Sequence, residues 1–364
     1  MKTLPSVLFL LLGLLLPLVA TPTPALAGDE PWKFEGDLRY RHDTLGVGDE
    51  DLNHRHRIRA RFGVLNLLRD DLTLGLRIAT ASDNGDPVTA NQTLSPAFTK
   101  KPLMLDLAFF DCRPVKGLSV LGGKMKNPFH RPADSQMVWD SDLTPEGLGV
   151  TYSRQHTRVK WFVTGGAFWT MDRRDGEPDA HLLAGQAGVG LKLGGDFLLV
   201  AAGAYYDYTA LEGYGPLFDD EPFGNTVDAT GLYEHDYNLV DAGLELHGKV
   251  GKLPFSVFGQ VVTNLAVSDE NTAFSAGFTL GKLGGPRTWR LRYDYRQVRR
   301  DAVFGTFSDS DFGGGGTGTK GHLLVADFAL TDHLGFGLTL FLTVIDDADQ
   351  TRYDRVQLDL NVKF

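Results

Sequence analysis

From Trp32 onward, polar and apolar positions alternate in one short segment after another. "WKFEGDLRYRH" puts Trp32, Phe34, Leu38 and Tyr40 on one side and Lys33, Glu35, Asp37, Arg39 and Arg41 on the other. "HRHRIRARFGV" carries Arg55, Arg57, Arg59 and Arg61 at every second position, opposite Ile58, Ala60, Phe62 and Val64. A helix, with its period of about 3.6, would scatter those arginines around its circumference, whereas a strand gathers them on one face. "LTLGLRIATA" sets Leu72, Leu74, Leu76 and Ile78 against Thr73 and Arg77, and "LMLDLAFF" sets Leu103, Leu105, Leu107 and Phe109 against Asp106. "TWRLRYDYRQV" opposes Trp289, Leu291, Tyr293 and Tyr295 to Arg290, Arg292, Asp294 and Arg296. The pattern continues through "GFGLTLFLTVID" to "RVQLDLNVKF", where Val356, Leu358, Leu360, Val362 and Phe364 share a face.

Each segment is about ten residues long, the length a tilted strand needs to cross a bilayer. Short connections ("RPVKG", "RQHT", "LGGD", "GKLP", "GGPR", "TDHLG") alternate with long ones at 82–102, 126–144, 210–235 and 299–319. The pattern predicts an all-β fold: a transmembrane antiparallel β-barrel of about sixteen strands, with short periplasmic turns and long extracellular loops. That leaves about 21 residues of the stretch 28–364 for each strand and its connection. A water-soluble barrel would turn its apolar face inward, whereas a membrane barrel turns it to lipid and its charges to an aqueous lumen. Aromatics near strand ends (Trp32, Tyr40, Tyr208, Trp289, Phe364) suit the two membrane interfaces. A periplasmic β-sandwich is the competing reading.

The N-terminus favours the membrane barrel. Lys2 precedes the apolar run "SVLFLLLGLLLPLVA", and "ALA" ends at Ala27 in the small-residue pattern of a cleavage site. A signal peptide over 1–27 is expected, with the barrel domain over 28–364 beginning at Gly28 and the protein exported to the bacterial outer membrane. With Lys2 removed, 35 basic face 46 acidic side chains, a net charge of -11 from the -10 of the full chain. That balance argues against nucleic acid as a partner. Cys112 is the only cysteine, so an internal disulfide is excluded.

"NHRHRIRARFGV", "LGLRIATASDNGDPVTANQTL", "GGKMKNPF" and "VWDSDLTPEGLGVTYS" together resemble the bacterial putative porin family, most clearly over residues 32–165. The resemblance implies an outer-membrane channel for passive diffusion of small hydrophilic solutes and ions, with outer-membrane lipid around it. It also implies a homotrimer and a third loop folded into the pore. "KNPFHRPADSQMVWDSDLTP" occupies the third-loop position. Phe364 resembles the final aromatic through which such barrels meet the barrel-assembly machinery. No cofactor and no resident metal are implied.

Candidate chemistry follows from these placements. Arg39, Arg41, Arg55, Arg57, Arg59, Arg61, Arg77, Arg290, Arg292 and Arg296, with Lys124 and Lys126, are the expected pore-lining cations. In water they stay charged and attract anions. Equally, they can pair with carboxylates on neighbouring strands, Arg39 and Arg41 with Asp37 or Glu35 for example. Asp134, Asp140, Asp142 and Glu146 would oppose the basic wall across a constriction if the third loop folds inward. His54 and His56 share a face but lack a third ligand for a metal. Asp346, Asp347 and Asp349 lack EF-hand spacing. "GGGGTG" at 313–318 lacks the P-loop lysine and reads as a flexible loop tip. Neither G-x-S-x-G nor H-E-x-x-H occurs, although a barrel enzyme of lipase or protease type needs no local motif. That enzyme and a non-conducting structural barrel are the alternatives to a channel.

Overall fold

The computed structural model describes residues 31–94, 97–174, 176–345 and 349–364. The expected signal peptide, its Ala27–Gly28 junction, and Asp346 and Asp347 lie outside the described residues. The chain from Trp32 forms one antiparallel sheet closed on itself. Its strands are β1 (Trp32–Val47), β2 (Asn53–Arg69), β3 (Leu72–Thr80), β4 (Gln92–Thr93), β5 (Leu103–Cys112), β6 (Leu118–Lys124), β7 (Glu146–Gln155), β8 (Val159–Met171) and β9 (Ala180–Gly194). They continue as β10 (Phe197–Tyr208), β11 (Tyr237–Val250), β12 (Leu253–Asn264), β13 (Thr272–Gly281), β14 (Thr288–Val298), β15 (Thr319–Ala329), β16 (Leu334–Ile345) and β17 (Arg352–Lys363). The two-residue β4 belongs to a loop and pairs with Arg57 and Ile58 of β2, while β3 pairs directly with β5. Sixteen strands therefore make the wall. β1 closes it against β17, in register from Asp37–Lys363 to Val47–Tyr353. Among the described residues every strand of the wall has a partner strand on both sides, as a barrel in lipid requires.

Alternation sets the two faces. Leu38, Phe62, Leu76, Leu244 and Leu358 are 47–51% exposed, whereas Arg41, Asp43, Asp294, Arg296 and Arg355, on alternate positions, are 0–5% exposed. The apolar face points out and the charged face points in, the inversion a lipid environment calls for.

Two details of the face reading are corrected. A register shift in the β3–β5 pairing leaves Asp106 unpaired and swaps the faces of β5. Leu103 and Leu105 point outward, but Leu107 is buried and Phe109 packs on the interior apolar cluster. Tyr208 is fully buried against Phe304 and Phe307, while Trp32, Tyr40, Trp289 and Phe364 are exposed.

The interior is divided. Toward β8–β12 the loops fold in and build an apolar cluster around Phe129, Trp139, Phe168 and Tyr206, whose ring centroids lie 5.6–6.2 Å apart. Toward β17, β1 and β2 the inner face carries arginines and aspartates.

Candidate solute pathway

The antiparallel register of β1 and β2 sets Arg39 opposite Arg59, Arg41 opposite Arg57, Asp37 opposite Arg61 and Asp43 opposite Arg55. β17 adds Arg355 and Asp359 beside them. Asp37 accepts from Arg59 (2.9 Å) and Arg61 (2.7 Å). Asp43 is bound in a fork by Arg355 (both 2.8 Å) and accepts from Arg55 at 2.6 Å. Asp359 holds Arg41 in a second fork (2.7 and 2.8 Å). Bidentate guanidinium–carboxylate pairs of this kind fix both side chains. The acid for Arg41 thus comes from β17, across the barrel closure, rather than from Asp37 or Glu35. Arg39 and Arg57 are least compensated: Arg39 donates to Asn91 (2.5 Å) with Asp359 at 4.0 Å, and Arg57 has Asp43 at 3.9 Å.

The third loop, 125–145, leaves the short β6 and crosses the lumen. His130 exchanges hydrogen bonds with Gln186 of β9 (2.7 and 2.8 Å), and Arg292 of β14 donates to the Ala133 carbonyl (2.6 Å). Pro132 packs against Gly243 of β11 so closely that a Cβ there would overlap its ring. The loop then returns to β2, where Asp142 faces Arg59 and Arg61, both at 3.5 Å.

The remaining expected residues fall elsewhere. Asp140 is buried and accepts from the Asp142 amide (2.7 Å) and the Ser310 amide (3.0 Å). Asp134 is exposed, and Glu146 pairs with Lys124 (2.8 Å) rather than with the arginine wall. Lys126 is largely exposed and lies 4.0 Å from Glu35. Arg77 pairs with the bulge residue Asp106, and Arg290 with Asp327 (2.7 Å). Arg292 and Arg296 share Asp294 on the opposite wall. His54 and His56 lie on the outer face, where Tyr40 and Thr44 hydrogen-bond to them. No cluster of metal-ligating side chains occurs among the described residues.

Several groups went unread in the sequence, Arg355 and Asp359 of β17 among them. Asp311 of the seventh loop, 299–318, reaches Arg355 (2.7 Å) and Arg41 (3.3 Å), and Asp309 pairs with the buried Arg296 (2.7 Å). The "GGGGTG" run is not a flexible tip. Gly313 and Gly316 are buried against Thr319 and Phe223, in positive-φ conformations that only glycine adopts without strain.

The loop acids titrate apart. Burial pushes Asp140 well above the usual carboxylate range, reinforced by Asp142 and Asp309 beside it. Burial acts the same way on Asp142, but Arg59, Arg61 and Arg39 outweigh it and hold that carboxyl low. Asp142 lines one cavity, and its partners Arg59 and Arg61 line another. The larger, of about 480 Å³, is lined by Arg39, Arg59, Arg61, Arg290, Asp327 and Asp359 toward the short-turn end. The smaller, of about 100 Å³, includes Asp86, Asp106, Lys124 and Asp142 itself.

The sequence matches the family described as "Putative porin" over residues 28–220 and 242–364. No curated protein matches the chain in sequence. Among solved structures, OprB of Pseudomonas putida at high pH is similar with a TM-score of 0.63 at 14% identity, covering 92% of this chain and 94% of that one. OmpF of Salmonella typhi gives 0.55 at 12% identity, covering 92% and 97%. A loop-deleted OmpT, an outer membrane protein of Vibrio cholerae, gives 0.52 at 12%, covering 92% and 100%. At such identities the likeness speaks to the fold, and the family match carries the rest. A closed sixteen-stranded barrel, apolar outside and charged within, and a family match over most of its length place this chain in the porin family, as a channel protein of the bacterial outer membrane.

Proposed function

We propose that the protein passes small hydrophilic solutes and ions by passive diffusion along the arginine wall of β17, β1 and β2. The observation that carries this reading is Asp142, which lines the smaller cavity and is set 3.5 Å from Arg59 and Arg61, which line the larger. Opposed fixed charges at a narrowing order water and dipolar solutes and disfavour apolar ones. On this wall seven guanidinium groups (Arg39, Arg41, Arg55, Arg57, Arg59, Arg61, Arg355) meet five carboxylates (Asp37, Asp43, Asp142, Asp311, Asp359), an excess of two positive charges. That excess favours small anions over cations of the same size.

The short turns face the periplasm and the long loops the exterior in this reading. The chain is exported with cleavage between Ala27 and Gly28, assembles through Phe364, and forms homotrimers. Planar-bilayer recording is the test: stepwise conductance with a reversal potential showing weak anion preference is expected. A folded, inserted protein that passes no current overturns the reading. Lipid hydrolysis by such a barrel would favour the enzyme instead.

A further inference from the structure

We infer that Asp311, carried into the lumen by the seventh loop, is a second selectivity-determining carboxylate of the channel. It is set against Arg41 and Arg355 as Asp142 is set against Arg59 and Arg61. This rests on the channel reading above.

The seventh loop is fixed inside the barrel at several points. Asp301 accepts from the Thr226 amide (2.9 Å), the Thr226 hydroxyl (2.6 Å) and the Tyr237 hydroxyl (2.8 Å). Asn225 of the fifth loop donates to the carbonyls of Arg300 (2.8 Å) and Val303 (2.9 Å) and accepts from the Gly305 amide (2.8 Å). Further along, Asp309 pairs with Arg296 and accepts from the backbone amides of Asp311 (3.0 Å) and Phe312 (3.3 Å). Phe312 is buried, with its ring 6.5 Å from that of Phe341. The backbone on either side of Asp311 is therefore held, and its carboxylate is aimed rather than free to wander.

The partners of Asp311 do not need it. Arg41 already has Asp359, and Arg355 already has Asp43, each in a two-bond fork from the barrel wall. Asp311 is an additional acid laid over pairs that the strands complete by themselves, with Gln357 donating to it at 3.0 Å. Its side chain is 22% exposed, whereas those of Arg41 and Arg355 are 6% and 3% exposed. Of the three groups, the carboxylate is the one water and solute can reach. Burial acts to raise its pKa, but Arg355 and Arg41 outweigh it and keep the group ionised. Removing this charge would leave the wall with three uncompensated guanidinium groups in place of two.

The test is the reversal potential in a salt gradient for the full-length protein in planar bilayers. Asp311→Asn is expected to raise the anion-to-cation permeability ratio by about two-fold at low salt, and by less at 1 M, where the screening length is about 3 Å. Asp311→Glu should keep the wild-type ratio. Separating charge from packing takes Asp311→Cys in a Cys112→Ser background, modified after assembly. A negatively charged methanethiosulfonate should restore the wild-type ratio, and a positively charged one should move it further toward anions. Unchanged selectivity in Asp311→Asn overturns the inference, as does a shift that the negative reagent does not reverse. Failure of both uncharged variants to assemble while Asp311→Glu assembles also overturns it, because Asp311 would then serve folding alone. Absence of current in the wild-type protein would instead sink the channel reading itself.

Discussion

Arg57 and Ala60 lie three positions apart on β2 and face opposite media. Ala60 pairs with Leu38 inside the outward apolar band. A guanidinium placed there meets lipid at a cost of roughly 2–4 kcal/mol near the midplane. Ala60→Arg is expected to lower the heat-resistant folded fraction severalfold on gel analysis of outer membranes. Arg57 has its nearest carboxylate at 3.9 Å, so Arg57→Gln removes charge without orphaning a partner. That variant should assemble at near wild-type yield and shift the reversal potential toward cations; a normal reversal potential would count against the lumen field. Period-two alternation is why this contrast was legible in the sequence: the faces of β2 follow from its spelling alone. The same rule misplaced Leu107 and Phe109, because one bulge residue inverts every later position of a strand, and nothing in "LMLDLAFF" marks Asp106 as that residue. Nor could alternation name the partner of Arg41. Asp359 stands 318 positions away and becomes a neighbour only when the barrel closes.

Among the connecting elements, the third loop owes its course to contacts with bare backbone. Pro132 rests on Gly243, so a branched side chain at 243 would drive the loop off β11. Gly243→Val is expected to change unit conductance while the barrel still forms, since the side chain would point into the lumen and not into the strand ladder. Unaltered conductance at normal folded yield would mean that the loop does not limit flow. The loop's contact with the seventh loop should also depend on pH. The folded-state pKa of Asp140 is raised by burial and then by Asp142 and Asp309 beside it, so its neutral form stabilises the packed loops, although the Ser310 and Asp142 amides themselves favour the ionised form. That contribution is fully present below the ordinary carboxylate range of about 4 and is lost as pH rises through the raised value. Asp140→Asn keeps an acceptor for the Ser310 amide and removes the charge. It should flatten the pH dependence of current noise above the ordinary carboxylate range of about 4, whereas the wild type grows noisier as pH rises. Loop length and position were enough to pick out the third loop in the sequence. The seventh was missed because "GGGGTG" has the composition of a flexible tip. Its order comes from Phe223 and Thr319, which pack against the glycines and which no local pattern predicts.

At the scale of the whole molecule, stability depends on one seam. Every other strand pair joins near neighbours in sequence, but β1 and β17 meet only after the whole sheet has curved around. Phe364 sits at the end of that seam. Its backbone exchanges two hydrogen bonds with Gly36, both 3.1 Å, and its ring lies over the glycine, where any Cβ would overlap it. Phe62 flanks it at 6.4 Å between ring centroids. An aromatic ring laid over a strand glycine restores the packing that the missing side chain gives up. Phe364 therefore has a physical role in closure, separate from any recognition by assembly machinery, and the two roles separate by experiment. Phe364→Ala keeps the backbone pair and loses the ring; deletion loses both. Folding urea-denatured protein into lipid vesicles involves no machinery. There the heat-resistant yield should fall in the order wild type, Phe364→Ala, deletion, with Phe364→Tyr near wild type. If all variants fold equally in vesicles and the deletion fails only in cells, the residue acts as a recognition signal and contributes nothing to the seam. A graded loss in vesicles places the effect at closure, where the last strand of the wall must find the first.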